Sequence, residues 1–212
     1  NCPIAYVNGV GGQDELVFDG QSLIVGADGK IIAQGNSFAE ELIFADITLS
    51  PKSQKSKVEL KNIRSYRAPA RLSKVKVKKS LPPHSYQEKS EEQSVYSALV
   101  LGTRDYIHKN GFSRVVLGLS GGIDSSITAV IAVDALGADN VVGVLMPSPH
   151  SSKGSVDDAL ALAKNLNIKT FTLPIKSAMQ AYDSILADVF KGTDVGLAEE
   201  NLQARIRGNL LM

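Results

Sequence analysis

Val115-Val116-Leu117-Gly118-Leu119-Ser120-Gly121-Gly122-Ile123-Asp124-Ser125-Ser126 is the stretch on which the reading of this chain turns. An apolar, largely β-branched run leads into Ser-Gly-Gly, and an Ala/Val/Ile-rich run follows. That order predicts a buried strand, a tight turn and a helix. Paired glycines let the backbone turn sharply, take positive φ and approach a ligand closely. The first amides of the following helix lack intrahelical partners and sit at the positive end of its dipole, which makes the turn a candidate anion site. Ser120, Ser125 and Ser126 add hydroxyls.

The carboxylate of Asp124 would repel a bare phosphate. It fits if Mg²⁺ lies between it and the phosphate oxygens, because Mg²⁺ is commonly held by one or two carboxylates together with substrate phosphates. The loop has no lysine and is not a Walker A sequence. Its S-G-G-x-D-S pattern resembles the pyrophosphate loop of the ATP pyrophosphatases, enzymes that cleave ATP between the α and β phosphates.

Outward from this loop, residues 90–212 read as alternating helix and strand. Ser90-Glu91-Glu92-Gln93 is a capping-box start with acids in the first turn, and Asn110-Gly111 ends that helix. Val95, Ala98, Leu99, Gly102 and Tyr106 follow at helical spacing. Val141–Met146 and Ile168–Leu173 are further strands. Helices are expected from Ser155, from about Ser177 to Phe190, and from Leu197 onward. Such alternation implies parallel strands joined by right-handed crossovers. In sheets of this kind ligands bind at the carboxyl ends of strands. The Ser-Gly-Gly loop and the polar loop Met146–Ser152 both fall there.

Residues 1–50 read differently. Ile4-Ala5-Tyr6-Val7 and Leu42–Ile47 are expected strands, and Leu23-Ile24-Val25 and Ile31-Ile32-Ala33 flank an Asp28-Gly29 turn as a hairpin. The glycines at 9, 11 and 12 read as a glycine-rich turn. Strands without a covering helix cannot bury both faces of a sheet, so this segment is expected to be the end of a larger domain. Between the two regions, residues 51–89 are rich in Ser, Pro and Lys, with Glu59 the single acid between Pro51 and Pro83. This is a basic linker by composition.

Composition limits the remaining possibilities. The 212 residues allow one or two domains, and 43% hydrophobic with 21% charged residues is ordinary for a globular protein. One cysteine excludes an internal disulfide framework and suits a cytoplasmic setting. Nothing beside Cys2 supplies a base to activate it, so it reads as a small packing residue. No apolar run is long enough for a membrane span. Net charge of +1 and little aromatic interleaving in the basic linker argue against nucleic acid as a partner. Both ends of the chain are expected to lie inside domains of a longer protein.

Near the C-terminus, Glu199–Gly208 carries dense polar side chains along a helix. Asn201 and Arg205 share one face, and arginine suits planar recognition of carboxylate or phosphate.

Together these stretches resemble glutamine-dependent NAD⁺ synthetases. The resemblance is carried by Gly118–Ser125, by Asn201-Leu202-Gln203-Ala204-Arg205-Ile206-Arg207, which is similar to the family's E-N-x-Q-A-R-x-R helix, and by Tyr6-Val7-Asn8 through Gly20. It implies a parallel-sheet α/β domain of the adenine-nucleotide α-hydrolase-like, ATP-pyrophosphatase type over residues 90–212. The strands before it would come from the end of an αββα nitrilase-like glutaminase domain. It implies ATP-dependent amidation of deamido-NAD⁺ through an adenylated intermediate, with ammonia taken from glutamine, in a homo-oligomeric cytoplasmic enzyme.

On this resemblance Gly118, Leu119, Ser120, Gly121, Gly122, Ile123, Asp124 and Ser125 hold ATP and its pyrophosphate, with Met146 and Ser148 near the adenosine. Asp124 binds Mg²⁺, and Asn201, Arg205 and Arg207 contact deamido-NAD⁺. The family's glutaminase Glu, Lys and Cys lie upstream of Tyr6, so no catalytic residue of that half is expected here. The alternatives are another ATP-pyrophosphatase amidotransferase, such as a GMP or asparagine synthetase, and a non-catalytic nucleotide-binding piece.

Overall fold

The computed structural model describes residues 2–47, 84–192 and 196–212. The expected linker lies largely outside the described residues. The chain divides into two compact units. The first comprises Asn1–Gly11 and Phe18–Ser94, the second Gly12–Val17 and Val95–Met212.

In the first unit, β1 (Ile4–Tyr6), β4 (Leu23–Val25) and β5 (Ile31–Gln34) form an antiparallel sheet in the order β1-β4-β5. The β4–β5 connection is the turn expected at Asp28-Gly29. Gly29 takes φ +83°, and the Asp28 carboxylate accepts from the Lys30 amide at 3.2 Å.

Two expectations fail in the N-terminal region. The glycine-rich turn is in fact a strand: β2 (Val10–Gln13) pairs with β3 (Leu16–Asp19) across Asp14-Glu15. Glycines depress strand propensity, so the local pattern conceals a hairpin that is specified by its turn, where Asp14 has φ 51°. Conversely, Leu42–Ile47 forms no strand. An apolar run becomes a strand only beside a free sheet edge, and no described strand pairs with this one. Leu42 and Phe44 are exposed.

The second unit is built on a parallel sheet, β6 (Val115–Gly118), β7 (Val141–Leu145) and β8 (Lys169–Thr172), in the order β6-β7-β8. Helices α2 (Ile123–Leu136) and α3 (Lys153–Asn165) make the crossovers. The period of two along β7 divides the core. Val141 and Leu145 join Leu119, Ala129, Ala159 and Ala163 on one face, while Val144 joins Met146, Ile175 and Ile206 on the other. Alanines at the helix contacts let α2 and α3 lie close to the sheet. Gly143 has the same effect within it, since a Cβ there would come 2.5 Å from Leu119 Cδ1.

α1 (Glu91–Lys109) opens with the expected capping box. The Gln93 amide donates to the Ser90 hydroxyl at 3.3 Å, and the Ser90 amide donates to the Gln93 side chain at 3.0 Å. The helix read from that spacing is present, over Glu91–Lys109. Leu101 is buried, whereas Val95, Leu99 and Tyr106 are exposed. Gly102 meets the hairpin tip instead: a Cβ on Gly12 would lie 3.0 Å from Gly102 Cα. The Gly12 amide donates to Asp105 at 2.8 Å, and Lys109 donates to the Gly12 carbonyl. The close backbone approach at Gly12 and Gly102, with the bonds to Asp105 and Lys109, joins the hairpin tip to α1. α4 (Lys176–Leu186) and α5 (Leu197–Leu211) complete the unit.

Candidate nucleotide site

The carboxyl end of β6 runs into the Ser-Gly-Gly loop, and α2 begins at Ile123. Gly122 is the helix N-cap and, having no side chain, gives the first-turn amides no side-chain cap. Those amides remain available to an acceptor. Gly121 takes φ +80°. A Cβ at that position would lie 2.1 Å from the Ser155 carbonyl oxygen, so only glycine fits on both counts.

The loop is held by its own hydroxyls. Ser120 Oγ accepts from the Gly122 amide at 3.2 Å and lies 3.0 Å from Ser125 Oγ. The hydroxyls of Ser125 and Ser126 both donate to the Gly122 carbonyl at 2.9 Å. Asp124 is exposed in the first turn of α2. No cluster of three or more His, Cys, Asp or Glu side chains exists among the described residues.

Beside the loop is a cavity of about 510 Å³, large enough for a nucleotide-sized ligand. Gly118 at the end of β6 lines it with Leu119 and Ser120 of the following loop, Met146 and Pro147 line it just past β7, and Ala204, Arg207, Gly208 and Leu211 from α5. Ser151, Ser155 and Val156 close it from the loop after β7 and the start of α3. Arg207 is fixed in its wall, with Nε donating to the Met146 carbonyl at 3.1 Å.

Among the residues singled out in the sequence, the structure thus brings Gly118, Leu119, Ser120, Met146 and Arg207 to one cavity. Gly121–Ser125 follow directly in the chain. Ser148 reaches the cavity wall through Ser151, its amide donating to Ser151 Oγ at 3.0 Å. Asn201 and Arg205 are elsewhere, lining a cavity of about 250 Å³ with Asp183, Leu186 and Phe190 of the α4 region. Arg205 and Arg207 are two positions apart on α5, which turns their side chains about 200° from each other.

Ser151, Ser155 and Val156 escaped the sequence reading. The polar loop ending a strand was a general signal for them, but their meeting with the Ser-Gly-Gly turn depends on long-range packing. α3 also begins earlier than expected, at Lys153, because Ser152 supplies the cap by accepting from the Ser155 amide at 3.0 Å.

A parallel α/β sheet with a glycine-serine loop at a strand's carboxyl end, preceded by antiparallel strands, defines the ATP-pyrophosphatase class of fold joined to part of a nitrilase-like domain. Comparison with known proteins narrows this. The sequence profile described as NAD synthase matches residues 95–212, and that described as carbon-nitrogen hydrolase matches residues 1–53. The chain therefore belongs to the NAD synthase family.

A glutamine-dependent NAD(+) synthetase of Synechocystis is 49% identical over 212 residues, which is 100% of this chain and 34% of that protein. The structure of glutamine-dependent NAD+ synthetase from Acinetobacter baumannii in complex with ADP aligns with a TM-score of 0.74 and 37% identity, covering 99% of this chain and 35% of that one. NH3-dependent NAD synthetase from Campylobacter jejuni aligns with a TM-score of 0.50 and 31% identity, over 58% of this chain and 51% of its own. The chain spans about a third of the length of the curated relatives it matches. No helix among the described residues is long and apolar enough to cross a membrane.

Proposed function

We propose that the protein carrying this chain is a cytoplasmic, homo-oligomeric ligase that converts deamido-NAD⁺ to NAD⁺. It uses ATP, takes ammonia from glutamine, and releases AMP and pyrophosphate. The observation that carries this reading is the meeting of Gly118–Ser120, Met146 and Arg207 around one 510 Å³ cavity, in a chain that the NAD synthase profile matches over residues 95–212.

In the first step a carboxylate oxygen of the nicotinate attacks the α-phosphorus of ATP, forming the P–O bond of an acyl adenylate and expelling pyrophosphate. In the second, ammonia adds to the acyl carbon, loses a proton, and AMP departs with the C–O electron pair. The residues of this chain act chiefly on the leaving group. The uncapped amides of α2 and the Gly118–Ser125 loop donate to pyrophosphate where its charge develops. Met146 and Ser148 border the adenosine. Arg207, already oriented by the Met146 carbonyl, faces the same space as the phosphates, and Asn201 and Arg205 bind deamido-NAD⁺ from the α4 side of α5.

The donor set also fits Mg²⁺. One exposed carboxylate beside loop hydroxyls is too little for an all-protein cage, but suits an ion that takes most of its oxygens from phosphates and water. Asp124 would hold the ion, which supplies neutralisation of the developing phosphate charge. Residues 1–50 belong in this reading to the glutaminase domain, 51–89 to a linker and 90–212 to the synthetase domain. The matches to the two profiles and to the ammonia-dependent enzyme support that division.

The test is AMP and pyrophosphate release by the full-length protein with deamido-NAD⁺, ATP, Mg²⁺ and either glutamine or ammonium, beside Asp124→Ala. Product with both nitrogen donors, lost in the variant, is the expected result. Release with ammonium only would remove glutamine as donor. No release with deamido-NAD⁺ would overturn the substrate assignment.

A further inference from the structure

Ser152 stands at one end of a short chain of contacts leading to the Ser-Gly-Gly loop. Its hydroxyl accepts from the Ser155 amide at 3.0 Å and pairs with the Ser155 hydroxyl at 2.8 Å, closing the first turn of α3. That turn presents the Ser155 carbonyl to Gly121 so closely that a Cβ on Gly121 would overlap it. Backbone therefore meets backbone at this point, with no flexible side chain between them to absorb a shift. Gly121 in turn carries the positive φ on which the Ser120–Gly122 turn depends. Ser155 itself lines the 510 Å³ cavity, so the same turn of α3 forms cavity wall and loop support at once.

We infer that Ser152 is a positioning residue for the phosphate loop, acting through Ser155 on Gly121 without touching the nucleotide. This rests on the reading of Gly118–Ser125 as an ATP loop and extends it to a second element. Because the contact bears on the loop, loosening α3's first turn weakens ATP and leaves deamido-NAD⁺ untouched, which a general loss of stability would not do.

The experiment uses the full-length enzyme with ammonium as nitrogen donor, comparing Ser152→Ala, Ser152→Thr and Asp124→Ala with the parent. KM is measured for ATP and for deamido-NAD⁺. Ser152→Ala is expected to raise the ATP KM about five-fold, the size of a lost helix cap, with the deamido-NAD⁺ KM within about two-fold. Threonine keeps the capping hydroxyl and is expected to restore the parent value. An unchanged ATP KM in Ser152→Ala, an equal rise for both substrates, or failure of threonine to restore would each overturn the inference. If Asp124→Ala also left ATP use unchanged, the ATP-loop reading would fall with it. Loss in Asp124→Ala alone would overturn only the role of Ser152.

Discussion

The Tyr96 hydroxyl donates to the Asp134 carboxylate at 2.5 Å, tying α1 to the last turn of α2. α2 begins at the Ser-Gly-Gly loop, so this bond fastens the far end of the helix whose near end adjoins the candidate site. The carboxylate stabilises the phenol over the phenolate, and with burial and the charge of Asp134 this pushes the tyrosine pKa up from 10.0 to about 12.

Because the folded-state pKa is raised, the stabilisation is present below pH 10 and is lost as the pH climbs toward 12. Tyr96→Phe is expected to cost about 1 kcal/mol near neutral pH, the scale of a solvent-screened hydrogen bond to a charged group. Denaturant unfolding of both proteins from pH 8 to 12 checks this, with the gap expected to close at the alkaline end.

Asp105 behaves with the opposite sign. Burial pushes its pKa up, but the Gly12 amide, Arg104 and Lys109 outweigh that and hold it below the ordinary carboxyl value of 3.8. Its contribution is therefore present above that value and is lost as the pH falls through the lowered one. Asp105→Ala leaves the Gly12 amide without its acceptor and is expected to cost about 2 kcal/mol at pH 7. The difference from the parent should shrink in acid, read by unfolding at pH 7 and pH 3.

Gly121→Ala is expected to abolish ATP binding. The new methyl group meets the Ser155 carbonyl and the backbone is at φ +80°, a strain of about 1–3 kcal/mol before the clash is counted. Calorimetric titration of the full-length variant with ATP is the measurement. Wild-type affinity would mean the loop does not meet the nucleotide.

Leu145 is 1% exposed between α2, α3 and the sheet. Leu145→Ala is expected to destabilise the protein by about 2–5 kcal/mol, through lost burial and the cavity left behind. Leu160→Ala, on an exposed position of α3, should change stability by less than about 0.5 kcal/mol. Equal effects in a thermal or denaturant melt would show that the core does not lie where the alternation along β7 puts it.

The sequence by itself determined the elements whose signals are local. The parallel strands were legible from short β-branched runs, the start of α1 from Ser90 and Gln93, the β4–β5 turn from Asp28-Gly29, and the turn from β6 into α2 from Ser-Gly-Gly. Backbone geometry and capping act over a few residues, so these patterns survive without tertiary help. Family membership was legible in the same loop and in Asn201–Arg207, where particular side chains recur at particular spacing.

Only the tertiary structure decided what depends on a distant partner. The β2–β3 hairpin lay hidden under glycines, while Leu42–Ile47 has strand composition but no described strand to pair with. α1 buries Leu101 and leaves Val95, Leu99 and Tyr106 exposed, and its Gly102 meets the backbone of Gly12 more than eighty residues away in the chain. The same holds at the site. Arg207 looks toward the loop while Asn201 and Arg205 look toward α4, and Ser155 abuts Gly121 across more than thirty residues of chain. Spacing along a helix gives the angle between side chains, but what each one faces is set by the packing of that helix against the sheet.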